Sequence, residues 1–165
     1  MNELLRHVIT ESRLSVQKLI SGGQTGADRA ALDFAIERGL EHGGWCPRGR
    51  KAEDGTIPSN YQLTETESAN YRSRTVRNVV DSDATLILNI GELEGGSLET
   101  LRIAEQRGKP VRVVQLDSAL ADEDLADVRE WLQNVQVMSL NIAGPRESKR
   151  PGIFEATCAL LRRLL

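Results

Sequence analysis

The stretch VQKLISGGQTGADRAALDFAIER, residues 16–38, changes character part-way along. Val16, Leu19 and Ile20 read as a short apolar strand, and Gly22, Gly23 and Gly26 then crowd the six residues 21–26. From residue 26 to 38 the period becomes helical, with Ala31, Leu32, Ala35 and Ile36 on one face. A strand that turns through glycines straight into a helix is the opening half of a βαβ unit, in which the chain must return over the sheet to start a parallel strand.

The rest of the chain repeats that alternation. A weaker strand is expected at 40–46, a helix from about 69 to 80 with Val76, Val79 and Val80 turned inward, and a strand at 84–90, "ATLILNI", whose near-continuous apolarity fits burial on both faces. A helix over 97–107, a strand at 110–116, a helix with Ala121, Leu125, Val128 and Leu132 along one stripe, a fifth strand at 135–142 and a helix over 151–165 complete the pattern. Alternating elements of this kind predict a single doubly wound α/β domain over residues 15–165, with a mostly parallel sheet of five or more strands and helices on both faces. Residues 1–14 are expected to be an N-terminal arm or extra helix. The polar stretch 47–68 reads as a long irregular loop, of the length that a compact domain usually keeps to cover a site.

Composition narrows the function. A chain of 165 residues suits one domain with a core of its own. A net charge of −3 with 27% charged residues lacks the basic excess of a sequence-blind nucleic-acid binder, so no nucleic-acid partner is expected. No apolar run approaches the length needed to span a bilayer, and no signal-like segment opens the chain, so the expected partner is not a membrane and the expected compartment is the cytoplasm. Cys46 and Cys158 form neither a disulfide framework nor a zinc-type cluster, and both are expected as reduced thiols.

Ligands of doubly wound sheets bind at the carboxyl ends of the strands, which is where the glycines of 21–26 sit. There Gly22 and Gly23 would let a ligand approach the backbone, Gly26 would start the helix close to the strand, Thr25 would cap the helix or meet an oxygen, and Gln24 would read a neutral polar group. The free amides and dipole of the first helical turn favour an anion, typically phosphate. The stretch nearly matches the dinucleotide pattern G-x-G-x-x-G, with Ser21 at its first position, but the ribose-binding acid expected about 20 residues on is absent. No Gly-Lys-Ser/Thr follows, so it is not an ATPase P-loop either. Two more turns share the pattern. "GELEGGSLETL", 91–101, puts Gly95 and Gly96 before a helix, with Ser97 expected as its cap and Thr100 three residues on. "NIAGPRES", 141–148, holds Asn141, Gly144, Arg146 and Ser148, the arginine suited to a bidentate grip on phosphate or carboxylate. One composite anion site accounts for all three.

The segments "SGGQTGADRAALDFAIERG", "YRSRTVRNVVDSDATLIL", "GGSLETLRIA", "GKP" and "NIAGPRES" resemble, in order from about Leu19 to the C-terminus, the bacterial family named putative molybdenum carriers. That family lies in the Rossmann-like superfamily that includes lysine-decarboxylase-like nucleotide phosphoribohydrolases and DNA-processing protein A. The resemblance implies a Rossmann-like fold and a phosphorylated heterocycle as ligand, either a nucleotide or a molybdenum/pterin cofactor. Arg74, Thr75 and Asn78 lie within one helical turn and read either as a solvated face or as pointing into the site, in line with the family's similar "RT--N" pattern, and Arg74 and Asn78 join the expected ligand set. The phosphoribohydrolase motif P-G-G-x-G-T-x-x-E is matched only by Gly95 and Gly96, with Arg102 standing where the glutamate belongs. Binding is therefore favoured over hydrolysis, leaving an N-glycosidase-like enzyme or a nucleotide-ligand sensor as alternatives. A glycosidase would draw its carboxylate from residues such as Glu53, Asp54 or Glu99.

The remaining candidates divide between chemistry and packing. Trp45 reads equally as a base-stacking ring or as packing, and Arg48 and Arg50 as phosphate contacts. Asp28 and Arg29 read as a mutual pair, a cap or a ligand contact. Cys46 has no second soft ligand nearby, so no metal site is expected. Asp81 and Asp83 read as turn formers, His7 and His42 as isolated, Cys158 as core, and a homodimer as the expected assembly.

Overall fold

The structure is a computed structural model that describes residues 13–165, so nearly all of the expected arm over 1–14 lies outside the described residues. In chain order the elements are β1 (Lys18–Ile20), α1 (Ala27–Arg38), β2 (Glu41–Gly43), β3 (Trp45–Cys46), β4 (Lys51–Ala52), β5 (Gly55–Thr56), β6 (Thr64–Glu65), α2 (Tyr71–Val80), β7 (Ala84–Asn89), α3 (Gly95–Gln106), β8 (Val111–Gln115), α4 (Asp122–Val135), β9 (Ser139–Ala143) and α5 (Ile153–Leu164).

Five strands form one parallel sheet in the order β2-β1-β9-β7-β8. β7 lies inside it and is buried along its whole length, as its near-continuous apolarity leads one to expect, with Thr85 and Asn89 as its buried polar residues. If β9 is counted as the first strand, β1 as the second, β2 as the third, β7 as the fourth and β8 as the fifth, the order becomes 3-2-1-4-5, that of a Rossmann mononucleotide-binding half. The sheet is thus Rossmann-like with its first strand placed last in the chain. The layers agree. α1 and α4 pack on α5 with Phe34, Leu132, Ile153 and Leu161 in the main core, whereas α2 packs on α3 over Val79, Ile103 and Ala104. The helices that follow β9 and β7 therefore leave the sheet on opposite faces, which opens a crevice between the carboxyl ends of these neighbouring strands.

Several expectations change in detail. Stretch 40–46 is two strands: β2 joins the main sheet, while β3 turns away to pair with β6. The stretch 47–68 is not an irregular loop. It carries β6 and the β4–β5 hairpin, and it closes a second core of Leu32, Cys46, Ala52, Ile57 and Tyr61. Arg50, expected at phosphate, donates instead to the carbonyls of Ile57, Pro58, Tyr61 and Leu63 and holds this lobe together. Ile36 and Val80, placed on inward faces, are 44% and 40% exposed. In α1 the buried stripe runs through Ala27, Ala31, Phe34 and Ala35, leaving Ile36 one step past its edge. α4 extends to Val135 and ends on Gln136 in the left-handed region (φ 58), so the last strand begins at Ser139 rather than 135. α3 starts at Gly95, with Glu94 at its N-cap position and no side-chain cap, so Ser97 lies inside the first turn and is not the cap. α1 likewise has no side-chain cap, which removes that role from Thr25.

Candidate functional site

A cavity of about 270 Å³ opens in the crevice between β7 and β9. Its walls come from the glycine turn after β1 (Gly22, Gln24), from α2 (Tyr71, Arg74, Asn78), from the start of α3 (Gly96, Ser97, Thr100) and from the segment after β9 (Asn141, Gly144, Arg146). Three turns and one helix, far apart in sequence, thus meet at one place. Gly23, Thr25, Gly26, Gly95 and Ser148 of the expected ligand set are not among its lining residues.

Most of the glycines serve contacts between protein segments. The open side of Gly22 is filled by the Arg74 guanidinium, which a Cβ there would overlap. Arg74 passes over that glycine to reach buried Asp28 at 2.9 Å, and the Gln24 N–H donates to the same carboxylate at 3.2 Å. Burial pushes the Asp28 carboxyl above its ordinary range, while the Arg74 charge and hydrogen bond pull it back. Gly26, at φ 82, lets the first turn touch the segment after β9, since a Cβ would come within 2.5 Å of the Pro145 carbonyl oxygen. Gly23 faces Leu63 and Ile57 of the second core rather than a ligand.

The tip of the β4–β5 hairpin accounts for Thr25 and Ser148. The Glu53 carboxylate accepts hydrogen bonds from the Thr25 hydroxyl and from the hydroxyl and N–H of Ser148, and Arg146 Nε lies 3.9 Å away. Burial disfavours the charge on Glu53, but these donors outweigh it and hold the carboxyl below its ordinary value. Asp54, next in the chain, is held down mainly by its hydrogen bonds from Arg29, which also donates to the Gly23 carbonyl. Two of the three expected anion cradles thus spend donors on a carboxylate of the protein itself. Neither Glu53 nor Asp54 borders the cavity, whereas Glu99 does, paired with Arg72.

The third cradle is open. No side chain caps the first turn of α3, and Gly96 has empty space on its open side. Lys149 and Arg150 line the cavity nearby and pair with Glu94 at 3.7 and 3.1 Å. They went unnoticed in the sequence although they follow Arg146 in one loop. Tyr71 was missed as well; its ring has Lys51, Arg74 and Arg146 charges at 4.6, 5.5 and 5.8 Å from the centroid. Asn89, Glu94, Ile142, Ala143 and Pro145 also line the cavity outside the expected set, and nothing in local spacing marks them.

Other expected residues are otherwise engaged. Asn78 borders the cavity but uses its amide on both the N–H and the carbonyl of Trp45. Trp45 bonds Asp81 through its indole N–H and lies under the Arg77 guanidinium at 4.8 Å, away from the cavity. Asn141 donates to Thr85, and Thr100 to the Gly96 carbonyl. Among the described residues no group of three or more His, Cys, Asp or Glu is arranged to hold a metal ion, and no helix is long and apolar enough to cross a membrane.

Comparison with known proteins follows the same lines. The family described as "Circularly permutated YpsA SLOG family" (cpYpsA) matches residues 19–165. The chain belongs to the cpYpsA family. The permutation in the cpYpsA description agrees with a sheet whose Rossmann order begins at β9, the last strand. Among solved structures, this cpYpsA chain is similar to the crystal structure of "Putative molybdenum carrier protein" from Syntrophus aciditrophicus SB, at 46% identity and a TM-score of 0.91, over 94% of this chain and 98% of that one. No curated protein matches.

Proposed function

We propose that this cpYpsA protein binds a phosphorylated heterocycle, a nucleotide or a pterin cofactor, in the crevice between β7 and β9. The observation that carries the reading is the uncapped first turn of α3 opening on a cavity that Arg146, Lys149 and Arg150 also line. Backbone amides at a helix N-terminus joined to flexible cations form a seat for a phosphate dianion. The cavity, at about 270 Å³, lies at the small end of ligand sites and suits a monophosphate better than a dinucleotide.

The carrier version of this reading draws support from the name of the Syntrophus aciditrophicus structure. Molybdenum would then be cargo held by its own organic ligand, because the cavity wall contains no thiol. Cys46 sits in the second core, where burial pushes its thiol up. The hydrolase alternative has one feature in its favour, the Glu99 carboxylate at the cavity, a group of the kind that stabilises developing positive charge on a sugar.

Calorimetric titration with nucleoside monophosphates, the parent nucleosides and inorganic phosphate tests the reading. Monophosphates are expected to bind, nucleosides to bind at least tenfold more weakly, and Gly96→Leu to remove binding without lowering the melting temperature, since a Cβ at this position meets no atom within 4 Å. Equal affinity with and without phosphate would overturn it. Free base appearing in the same mixtures, and vanishing in Glu99→Gln, would establish the hydrolase. Native mass spectrometry of protein from molybdate-fed cells tests the carrier version, which predicts a pterin adduct.

A further inference from the structure

We infer that Glu53, at the tip of the β4–β5 hairpin, competes with the ligand's phosphate for Arg146, so that filling the cavity loosens the hairpin and neutralising Glu53 tightens binding. The inference rests on the ligand reading of the cavity and names how that site is regulated.

Arg146 stands between the two. It lines the cavity, and its Nε lies 3.9 Å from the Glu53 carboxylate, which does not. The other cavity arginines are committed. Arg74 is anchored on Asp28 at 2.9 Å, and Arg150 donates to the carbonyls of Ile90, Lys149 and Glu92 and to the Glu94 carboxylate. Among the described residues the Arg146 side chain makes no hydrogen bond, and Glu53 is its one carboxylate partner, at ion-pair distance, with the Tyr71 ring centroid 5.8 Å away. A guanidinium whose donors are all uncommitted can grip a phosphate with two parallel hydrogen bonds.

The carboxylate has other holders. Thr25 donates to it through its hydroxyl, and Ser148 through its hydroxyl and N–H. Of the three residues that hold it, Arg146 alone lines the cavity, so the Arg146 charge is the part of this seat that a ligand can claim. Such coupling is reciprocal: the factor by which Glu53 weakens the phosphate is the factor by which phosphate loosens the hairpin tip. With side chains 18% and 40% exposed, the pair is worth what a surface ion pair is worth, a factor of about two to five. Asp54 supplies an internal comparison. It is the next residue on the same hairpin and carries the same charge, but its partner Arg29 does not line the cavity.

Calorimetry at constant ionic strength with inorganic phosphate and adenosine monophosphate, on the wild-type protein, Glu53→Gln and Asp54→Asn, tests the competition. Glu53→Gln is expected to bind both anions about two- to fivefold more tightly than wild type, and Asp54→Asn to match wild type. In the wild-type protein, saturating phosphate is expected to speed hydrogen exchange at the Glu53 amide, which donates to Gln24 Oε1, while the amides of β7 keep their protection. That measurement stands even if a variant fails to fold. Unchanged or weaker binding by Glu53→Gln overturns the inference, and equal tightening in both variants overturns it in favour of a general charge effect. Exchange at Glu53 that phosphate leaves unchanged or slows overturns it as well. Each of these results leaves the ligand reading standing, whereas no binding of either anion to any of the three proteins overturns both.

Discussion

At the scale of single residues, Gly22 shows how a glycine that looks made for a ligand serves a side chain instead. The Arg74 guanidinium occupies the space where its Cβ would be, on the way to Asp28. Gly22→Ala should push Arg74 away and leave a carboxylate buried without its partner, a loss of roughly 3 kcal/mol or more. Urea unfolding measures it, with a lowered midpoint expected. Adding Asp28→Asn should recover part of the loss, because the buried group then carries no charge, and purely additive effects would show that the pair is not what suffers. The sequence revealed Gly22, Arg74 and Asp28 as candidates, but not their mutual contact, since 46 positions separate Asp28 from Arg74. Local pattern shows where backbone freedom is needed and not which neighbour uses it.

At the scale of elements, the β4–β5 hairpin is a strap over the glycine turn, fastened by Glu53 and Asp54. Glu53→Ala should free its donors and raise amide hydrogen exchange across 22–26 and at Ser148, while β7 and β9 keep their protection. Unchanged exchange would mean that the second core alone holds the strap. Another carboxylate pins the start of β9. Asp83 Oδ2 accepts from the N–H groups of Met138 and Ser139, both at 2.9 Å, and these bonds hold its carboxyl below the usual aspartate value. A folded-state pKa below the unfolded one gives stability that is present above the unfolded value of about 3.9 and is lost as pH falls through the folded one. Asp83→Ala should therefore be less stable than wild type near pH 7, and the gap should close below pH 4. Melting curves across that range check the sign. The strands and helices were largely legible from period, with errors where apolar residues crowd. Val135, Gln136 and Val137 alternate like a strand, yet Gln136 ends a helix in a conformation usually given to glycine, without the stop signal that glycine would have supplied. The lobe over 45–66 was not legible, because its strands are two residues long and its core borrows Leu32 from α1.

At the scale of the whole molecule, parallel α/β alternation could be read from the sequence, but the order of strands in the sheet could not, since neither period nor composition tells a strand its neighbours. That order has a testable consequence. Arg13, Leu14 and Val16 line one hollow together with Leu164 and Leu165, so the first described residues lie close to the C-terminus. Joining the ends and reopening the chain between Gln136 and Val137 would make β9 the first strand and restore the order 3-2-1-4-5 along the sequence. Such a rearranged chain is expected to fold with an unchanged circular dichroism spectrum and a melting temperature within a few degrees of the parent; a molten or aggregated product would show that β9 must form late. Cys46, wholly enclosed beneath the strap, gives the molecule a clock of its own. With Cys158 changed to serine, the rate at which a small alkylating reagent marks Cys46 counts how often that lobe swings open, and any compound that fastens it shut will slow the count.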